Sequence, residues 1–126
     1  MLSKALDLIK RGRGIDLDLG GLALDDPATY AMLARGETRT VFQLEGSGMT
    51  RAVMDLQPSS LDHLAALVAL YRPGPMAHIQ SYVQRRDGRE AAEPPDASLK
   101  DVLDESYGII VYQDQVLQVV RKLAGY

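Results

Sequence analysis

Residues 61–75 read LDHLAALVALYRPGP, and this stretch decides the fold of the chain. Its apolar residues recur every three or four positions from Leu61 to Tyr71, which is the spacing of one buried helix face. The two prolines that follow cannot continue a helix, because each lacks a backbone donor and restricts the residue before it. We therefore predict a buried core helix that ends at a rigid Pro-Gly-Pro corner directly after Arg72.

Further helical patterns lie on both sides of this core helix. They run from Leu2 to near Gly12 or Gly14, and at about residues 27–35, 47–56, 79–86, 99–105 and 113–124. Val41–Leu44 and Ile109–Tyr112 are brief β-like runs, residues 15–24 are a predicted connector, and residues 91–97 are a predicted loop. The predicted fold class is mostly α: one irregular helical domain with two short extended segments.

Several helix starts and ends carry signals of their own. Asp26 can cap free backbone amides, and Pro27 supplies a helical φ where no donor is needed. Gly36 and Gly88 are predicted left-handed stops. The other predicted caps are Ser47, Ser59 or Ser60, and Ser98.

Composition excludes several classes of protein. The chain has 126 residues, of which 46% are hydrophobic and 25% charged, as in ordinary globular domains. Its longest apolar run, residues 64–71, is far shorter than the roughly 20 residues that span a bilayer. There is no cysteine, which excludes disulfides and thiolate sites. Because the start lacks the pattern of a secretory signal, we expect a cytoplasmic protein with no membrane role. The end directly after a helix leads us to expect a piece of a longer chain.

Charge is distributed unevenly along the chain. The formal net charge of −3 argues against a surface that grips nucleic acid everywhere. Residues 1–13 and 72–89 nevertheless each carry a net +3, whereas residues 90–105 carry −5. Local basic patches are therefore possible, although most such clusters are ordinary solvated helix faces.

No residue pattern predicts a catalytic centre. Asp16 and Asp18 could approach a divalent ion, but such a pair in a connector is more often a solvated edge. His63 and His78 are ordinary surface histidines by their positions. No serine-hydrolase elbow, phosphate-binding loop or dinucleotide fingerprint is present. We predict no catalytic residue and no metal ligand within the chain.

The candidate binding residues are mainly cations and amides. Arg72 follows a buried helix and precedes a rigid turn, so its backbone is fixed while its guanidinium can reach a phosphate. The alternative, that Arg72 pairs with a carbonyl or an acid inside the fold, stays open. Ser47 lies at a glycine-rich helix start whose amides could receive a phosphate. Arg85, Arg86 and Gln113 are further candidates, although the arginines could face solvent and the glutamine could simply cap.

Four blocks of sequence, in order, resemble a known family. They are FQLE with Gly48-Met49 (from Phe42), ALVALYRPGPM (from Ala66), YGIIVYQDQV (from Tyr107) and LAGY (from Leu123). They resemble the alpha subunit of bacterial DNA polymerase III, the family C replicative polymerase. The likeness extends from about Ala5 to the last residue and includes LDDP (from Leu24) and RGET (from Arg35). The YRPGPM block favours the replicative form over the error-prone paralogue.

The resemblance implies that residues 1–126 belong to the start of the fingers, with the palm and the remaining fingers outside the chain. It implies a part in DNA replication, as a nucleotidyltransferase that binds template-primer DNA and deoxynucleoside triphosphate and assembles with other replisome subunits. It also implies magnesium for the full-length enzyme, held by palm carboxylates outside this chain, so the fragment alone should be inactive. The nucleotide- and DNA-binding candidates are then Arg72, Gln43, Ser47, Arg85, Arg86 and Gln113.

Three departures from the family pattern lie near these candidates. Gly46 stands where serine commonly follows the FQLE block, so a role for that hydroxyl would fall to Ser47. Asp114 replaces a usual glutamate with a shorter carboxylate. Asp87 stands where a histidine or another basic or polar residue is frequent, and it lowers the positive charge near Arg85 and Arg86.

Two rival hypotheses make different structural predictions. A helical module that binds protein should expose an apolar stripe, whereas a fingers piece should aim Arg72 outward with its apolar residues hidden. A metal-dependent hydrolase should bring Asp16 and Asp18 together around a divalent ion.

Overall fold

Regular structure in this chain is helical throughout residues 1–125, the part that the computed structural model describes. The α-helices of this part are α1 (Leu2–Arg13), α2 (Pro27–Ala34), α3 (Ser47–Leu56), α4 (Leu61–Leu70), α5 (Ile79–Arg86), α6 (Lys100–Leu103) and α7 (Gln113–Ala124). Short 3-10 turns lie at Leu19–Gly21, Pro75–His78, Ala97–Leu99 and Asp104–Ser106. The mostly α class is thus confirmed; Tyr126, the last residue of the LAGY block, lies outside the described residues.

Neither predicted extended segment forms a strand in the described part of the chain. Residues 41–44 are turns instead: the amide of Val41 donates to the carbonyl of Thr38 over 3.0 Å, and that of Leu44 to the carbonyl of Val41 over 3.0 Å. Residues 109–111 are an irregular connection before α7. A strand needs a neighbour for its amides and carbonyls, and the helices around these segments offer none.

Most helix ends form where the sequence signals place them. Asp26 accepts from the amides of Ala28 and Thr29, and the Ser60 hydroxyl accepts from the amide of His63. Two predicted caps are wrong. Ser47 is the first residue of α3 with Gly46 at the cap position, and Asp96 rather than Ser98 caps the turn before α6.

The core lies between α2, α3 and α4. Leu33, Val53, Leu56, Leu67 and Leu70 are almost completely buried there. Burial of each such side chain contributes about 2 kcal/mol. The predicted core helix is therefore α4.

A smaller apolar cluster forms under α7, where Leu99, Val102 and Leu103 pack against Val119. Helix α1, in contrast, has no buried residue. None of the helices between Met1 and Gly125 has the length and apolar character needed to cross a membrane.

Candidate nucleic-acid interface

Arg72 is held on both sides by backbone hydrogen bonds at the exit of α4. Its amide donates to the carbonyl of Leu70 over 2.8 Å, and its carbonyl accepts from the amide of Met76 over 3.1 Å. Gly74 has φ of 98°, a conformation that favours glycine and completes the Pro-Gly-Pro corner. The predicted rigid mount is therefore present.

The Arg72 side chain is exposed. Within residues 1–125 its guanidinium makes no ion pair and no hydrogen bond. Its donors are thus available for an anion, and the alternative of internal pairing has no counterpart in the described part of the chain.

Arg72 and Gln43 line the same groove, which has a volume of about 420 Å³. The α4 residues that line it lie between Leu61 and Ala69, and Phe42 is a further lining residue. Phe42 is 83% exposed, which is unusual for the one phenylalanine of the sequence. The structure therefore brings two of the six candidates together beside an exposed aromatic ring.

The turn that carries Phe42 and Gln43 is fixed to α3. The hydroxyl of Thr50 donates to the carbonyl of Leu44 over 3.2 Å and lies 2.6 Å from the hydroxyl of Thr38. Since the Thr50 proton is directed to Leu44, Thr38 is the donor between the two hydroxyls. Both threonines and Leu44 are withdrawn from solvent, so the turn has a buried base under an exposed tip.

Ser47 lies outside this groove. It is exposed in the first turn of α3, and the next residue, Gly48, lines a separate cavity of about 560 Å³ with Arg51, Tyr71 and Arg89. A Cβ on Gly48 would collide with the hydroxyl of Tyr71. The glycine therefore allows the Tyr71 ring to pack against α3.

Arg85 is committed to the interior of the fold. Its Nε donates to Glu90 over 2.7 Å, and its Nη1 donates to the carbonyls of Glu93 over 3.0 Å and Tyr107 over 3.2 Å. These bonds join α5 to residues 90–93, which follow it, and to the turn at Tyr107 before α7. Arg85 consequently has a structural part, whether or not it also contacts a ligand.

Arg86 is similarly engaged, with 12% of its side chain exposed. It donates to Asp87 over 2.7 Å and to the carbonyl of Gln57 over 3.4 Å. Asp87 also accepts from Arg89 over 3.0 Å. The hydrogen bond from Arg86 lowers the pKa of the Asp87 carboxyl, so Asp87 offsets local positive charge as the sequence indicated.

Gln113 is exposed at the start of α7, while Gln115 is completely buried. The Gln115 carbonyl oxygen accepts from the amides of Val111 over 2.8 Å and Tyr112 over 3.0 Å, and its Nε2 donates to Ser106 over 2.8 Å. Gln115 therefore anchors the segment that presents Gln113.

The carboxylates proposed for a metal already have partners. Asp16 lies 2.7 Å from the Lys10 ammonium, and Asp18 accepts from the amide of Gly20 over 3.0 Å. No group of three or more His, Cys, Asp or Glu side chains in residues 1–125 is arranged to hold a metal ion.

Sequence comparison identifies the class to which this fold belongs. The family model described as the bacterial DNA polymerase III alpha subunit finger domain matches residues 1–126, and the chain belongs to this family.

Individual relatives agree with the family match. The DNA polymerase III subunit alpha of Thermus aquaticus is 49% identical over 99% of this chain, and those of Saccharopolyspora erythraea and Bacillus subtilis are 46% and 35% identical over all of it. The chain spans 11% of the length of each of these relatives.

Two features of the site were missed by reasoning from sequence. As part of a β-like run, Phe42 would share the face of the buried Leu44, and nothing in the pattern shows that a turn separates them. Gln115 did have a signal, because a glutamine at the third position of a helix often closes a capping box. That signal was weakened by the tyrosine at the cap position.

Proposed function

We propose that this chain works as the finger domain of a replicative DNA polymerase and positions the incoming deoxynucleotide and the template-primer for nucleotidyl transfer. Family membership supports the polymerase role. The observation that carries the substrate-binding part is the exposed Arg72 guanidinium, rigidly mounted next to Gln43 in one groove. Phosphates of DNA or nucleotide are anions that such a fixed cation binds without reorganisation.

In this proposal Arg72 supplies charge and Gln43 supplies an amide that can both donate and accept. A guanidinium donates to phosphate oxygens through paired N–H groups, and the amide can bond a base edge or a sugar hydroxyl. The polymerase chemistry itself uses magnesium to activate the primer hydroxyl and to stabilise the leaving pyrophosphate. We place the metal ligands in the palm of the same polymerase, outside this chain, because the family resemblance implies it.

The first test measures primer extension by the polymerase that contains this domain, with Arg72→Gln. We expect the apparent KM for nucleotide or the Kd for template-primer to rise about tenfold, since a hydrogen bond to a charged group contributes about 1.5–3 kcal/mol. Thermal stability should not change because the side chain is exposed. The matched control is Arg11→Gln, which removes an exposed arginine from α1. Unchanged KM and Kd in the Arg72 variant would contradict the proposed contact.

The second test uses the 126-residue chain alone with primer-template, magnesium and deoxynucleotides. We expect no extension, because we place the metal-binding carboxylates in the palm, and residues 1–125 have no group of three or more His, Cys, Asp or Glu side chains arranged to hold a metal ion. Extension by the purified chain would refute the assignment of catalysis to another part of the polymerase.

A second candidate function is docking against protein, and one observation favours it. Val116, Leu117, Val120 and Leu123 are all exposed along α7 and form an apolar stripe. The protein-binding hypothesis thus has the apolar stripe that it requires, whereas the criterion for the fingers is met only in part, because Arg72 is exposed but these apolar residues are not hidden. Sedimentation of the parent chain and of Leu117→Ser tests it: docking through α7 predicts self-association that the substitution weakens.

A further inference from the structure

We propose that Phe42 is a stacking platform for an unpaired base of single-stranded DNA, with Arg72 bound to the phosphate of the same strand. This inference rests on the proposed function and names the ligand of that groove: template strand that is not yet paired. To the proposed roles of Arg72 and Gln43 it adds Phe42 as a further binding residue, which stacks its ring on a base.

The exposed position of Phe42 is maintained by its turn. The neighbours Val41 and Leu44 are partly or fully buried, and Leu44 is held by the Thr50 hydroxyl. Thr40 and Gln43, which lie on either side of Val41 and Phe42, have φ of 67° and 66°. Residues other than glycine seldom adopt this backbone conformation. Strained backbone of this kind persists where surrounding contacts impose it, and it concentrates at binding sites. The turn therefore holds an aromatic ring in water beside an apolar groove.

The charge of the groove matches a nucleotide strand. Arg72 is the single charged residue among those that line it, all of which are in the described part of the chain, and no acid is among them. A nucleotide in a strand combines one negative phosphate with one flat base, and the base has a π face that stacks on aromatic rings regardless of sequence. An apolar peptide would leave the guanidinium without a partner.

An unpaired strand fits this site better than a duplex or a free triphosphate. In a duplex the faces of the bases are already stacked, so a protein ring can reach only a base that is splayed out. A triphosphate concentrates several charges, which proteins bind with several cations or with metal ions. The groove offers one arginine, and its single positive charge matches the single negative charge of one phosphodiester.

The experiment measures the affinity of the polymerase that contains this domain for primer-templates with a fluorescent single-stranded template overhang. We expect Phe42→Leu to weaken binding about tenfold, the scale of one base stacked on one aromatic ring. Phe42→Tyr should keep the parent affinity. Arg72→Gln should reduce the slope of log affinity against log salt by about one phosphate contact. Leu8→Ala and Arg11→Gln, both at exposed positions of α1, are the matched controls.

A second set of overhangs, each with one abasic nucleotide, assigns the effect to stacking. An abasic site keeps the phosphate and removes the base, so at the contacted position it should weaken the parent but add nothing to the loss in Phe42→Leu. Since Phe42 is exposed, the melting temperature of Phe42→Leu should equal that of the parent.

The outcomes separate this inference from the proposed function. If Phe42→Leu binds every overhang like the parent while Arg72→Gln still impairs extension, stacking is wrong and the proposed function stands. If neither variant differs from the parent in binding or extension, both are wrong. A loss in Phe42→Leu that is equal on intact overhangs and on every abasic overhang also overturns stacking, because the ring would then act without a base.

Discussion

Arg72 and Arg85 carry the same guanidinium in one basic stretch, yet the fold uses them in opposite ways. Arg72 has no side-chain partner in residues 1–125, whereas Arg85 donates to one carboxylate and two backbone carbonyls. The same contrast separates the exposed Gln113 from the buried Gln115. The availability of a polar group for ligand therefore depends on whether the backbone around it already needs its donors and acceptors.

The largest effect should come from the glutamine pair. Gln115→Ala removes the acceptor for the amides of Val111 and Tyr112 and leaves a cavity, so we expect the free energy of unfolding to fall by about 3 kcal/mol or more. Gln113→Ala, its matched control, should change it by less than about 0.5 kcal/mol. Urea unfolding of the chain followed by circular dichroism measures both. Equal losses would remove the distinction between the two sites.

The arginine pair should give an intermediate effect. Arg85→Met keeps much of the aliphatic stem but leaves Glu90 and two carbonyls without a donor, and we expect a loss of about 2 kcal/mol. Arg72→Met should cost less than about 0.5 kcal/mol, because an exposed unpaired charge contributes little to stability. The same urea titration compares them. A greater loss for Arg72→Met than for Arg85→Met would reverse the assignment of structural and binding roles.

The smallest effect should be a pH dependence at His63, whose ionisation is influenced by the charges of Arg86 and Asp87. Burial lowers the pKa of His63, and the charge of Arg86 lowers it further. A lowered pKa in the folded state means that the unfolded chain binds the proton more tightly. The contribution of neutral His63 to the free energy of unfolding is therefore fully present above the ordinary histidine pKa. It is lost as the pH falls from that value to the lowered pKa of the folded state.

Urea unfolding at pH 7.5 and at pH 5.5 tests this sign. The His63→Gln variant should lose less stability between the two pH values than the parent does. A parent that is more stable at pH 5.5 than at pH 7.5, with the difference abolished in the variant, would mean that His63 is stabilised in its charged form.

Helix positions were largely predictable because their signals are local. Asp26-Pro27 caps α2, and α5 and α7 begin and end where apolar spacing and glycine place them. The turn at residues 41–44 was not predictable in this way. Its β-branched and aromatic composition favours a strand, and only contacts with Thr38 and Thr50 select the turn. A strand there would have needed a partner that the helical fold does not provide.

The candidate site was predictable in one respect and not in another. The rigid mount of Arg72 follows from the two prolines and the glycine, whose backbone restrictions act within a few residues. The engagement of Arg85 depends on the carbonyls of Glu93 and Tyr107, which lie 8 and 22 residues further along the chain and reach it only through the folded path of the backbone. Whether an arginine side chain is available to bind a ligand therefore depends on the tertiary fold. The pattern of charges along the sequence does not reveal it.

The close approach of Gly48 and Tyr71 has a consequence for how this surface can evolve. Any larger residue at position 48 must push aside the Tyr71 ring, and Tyr71 is the C-cap residue of α4 that directly precedes Arg72. A change in the first turn of α3 thereby acts on the residue next to Arg72, just past the end of another helix. Variation at position 48 should thus be tolerated only together with a smaller side chain at position 71.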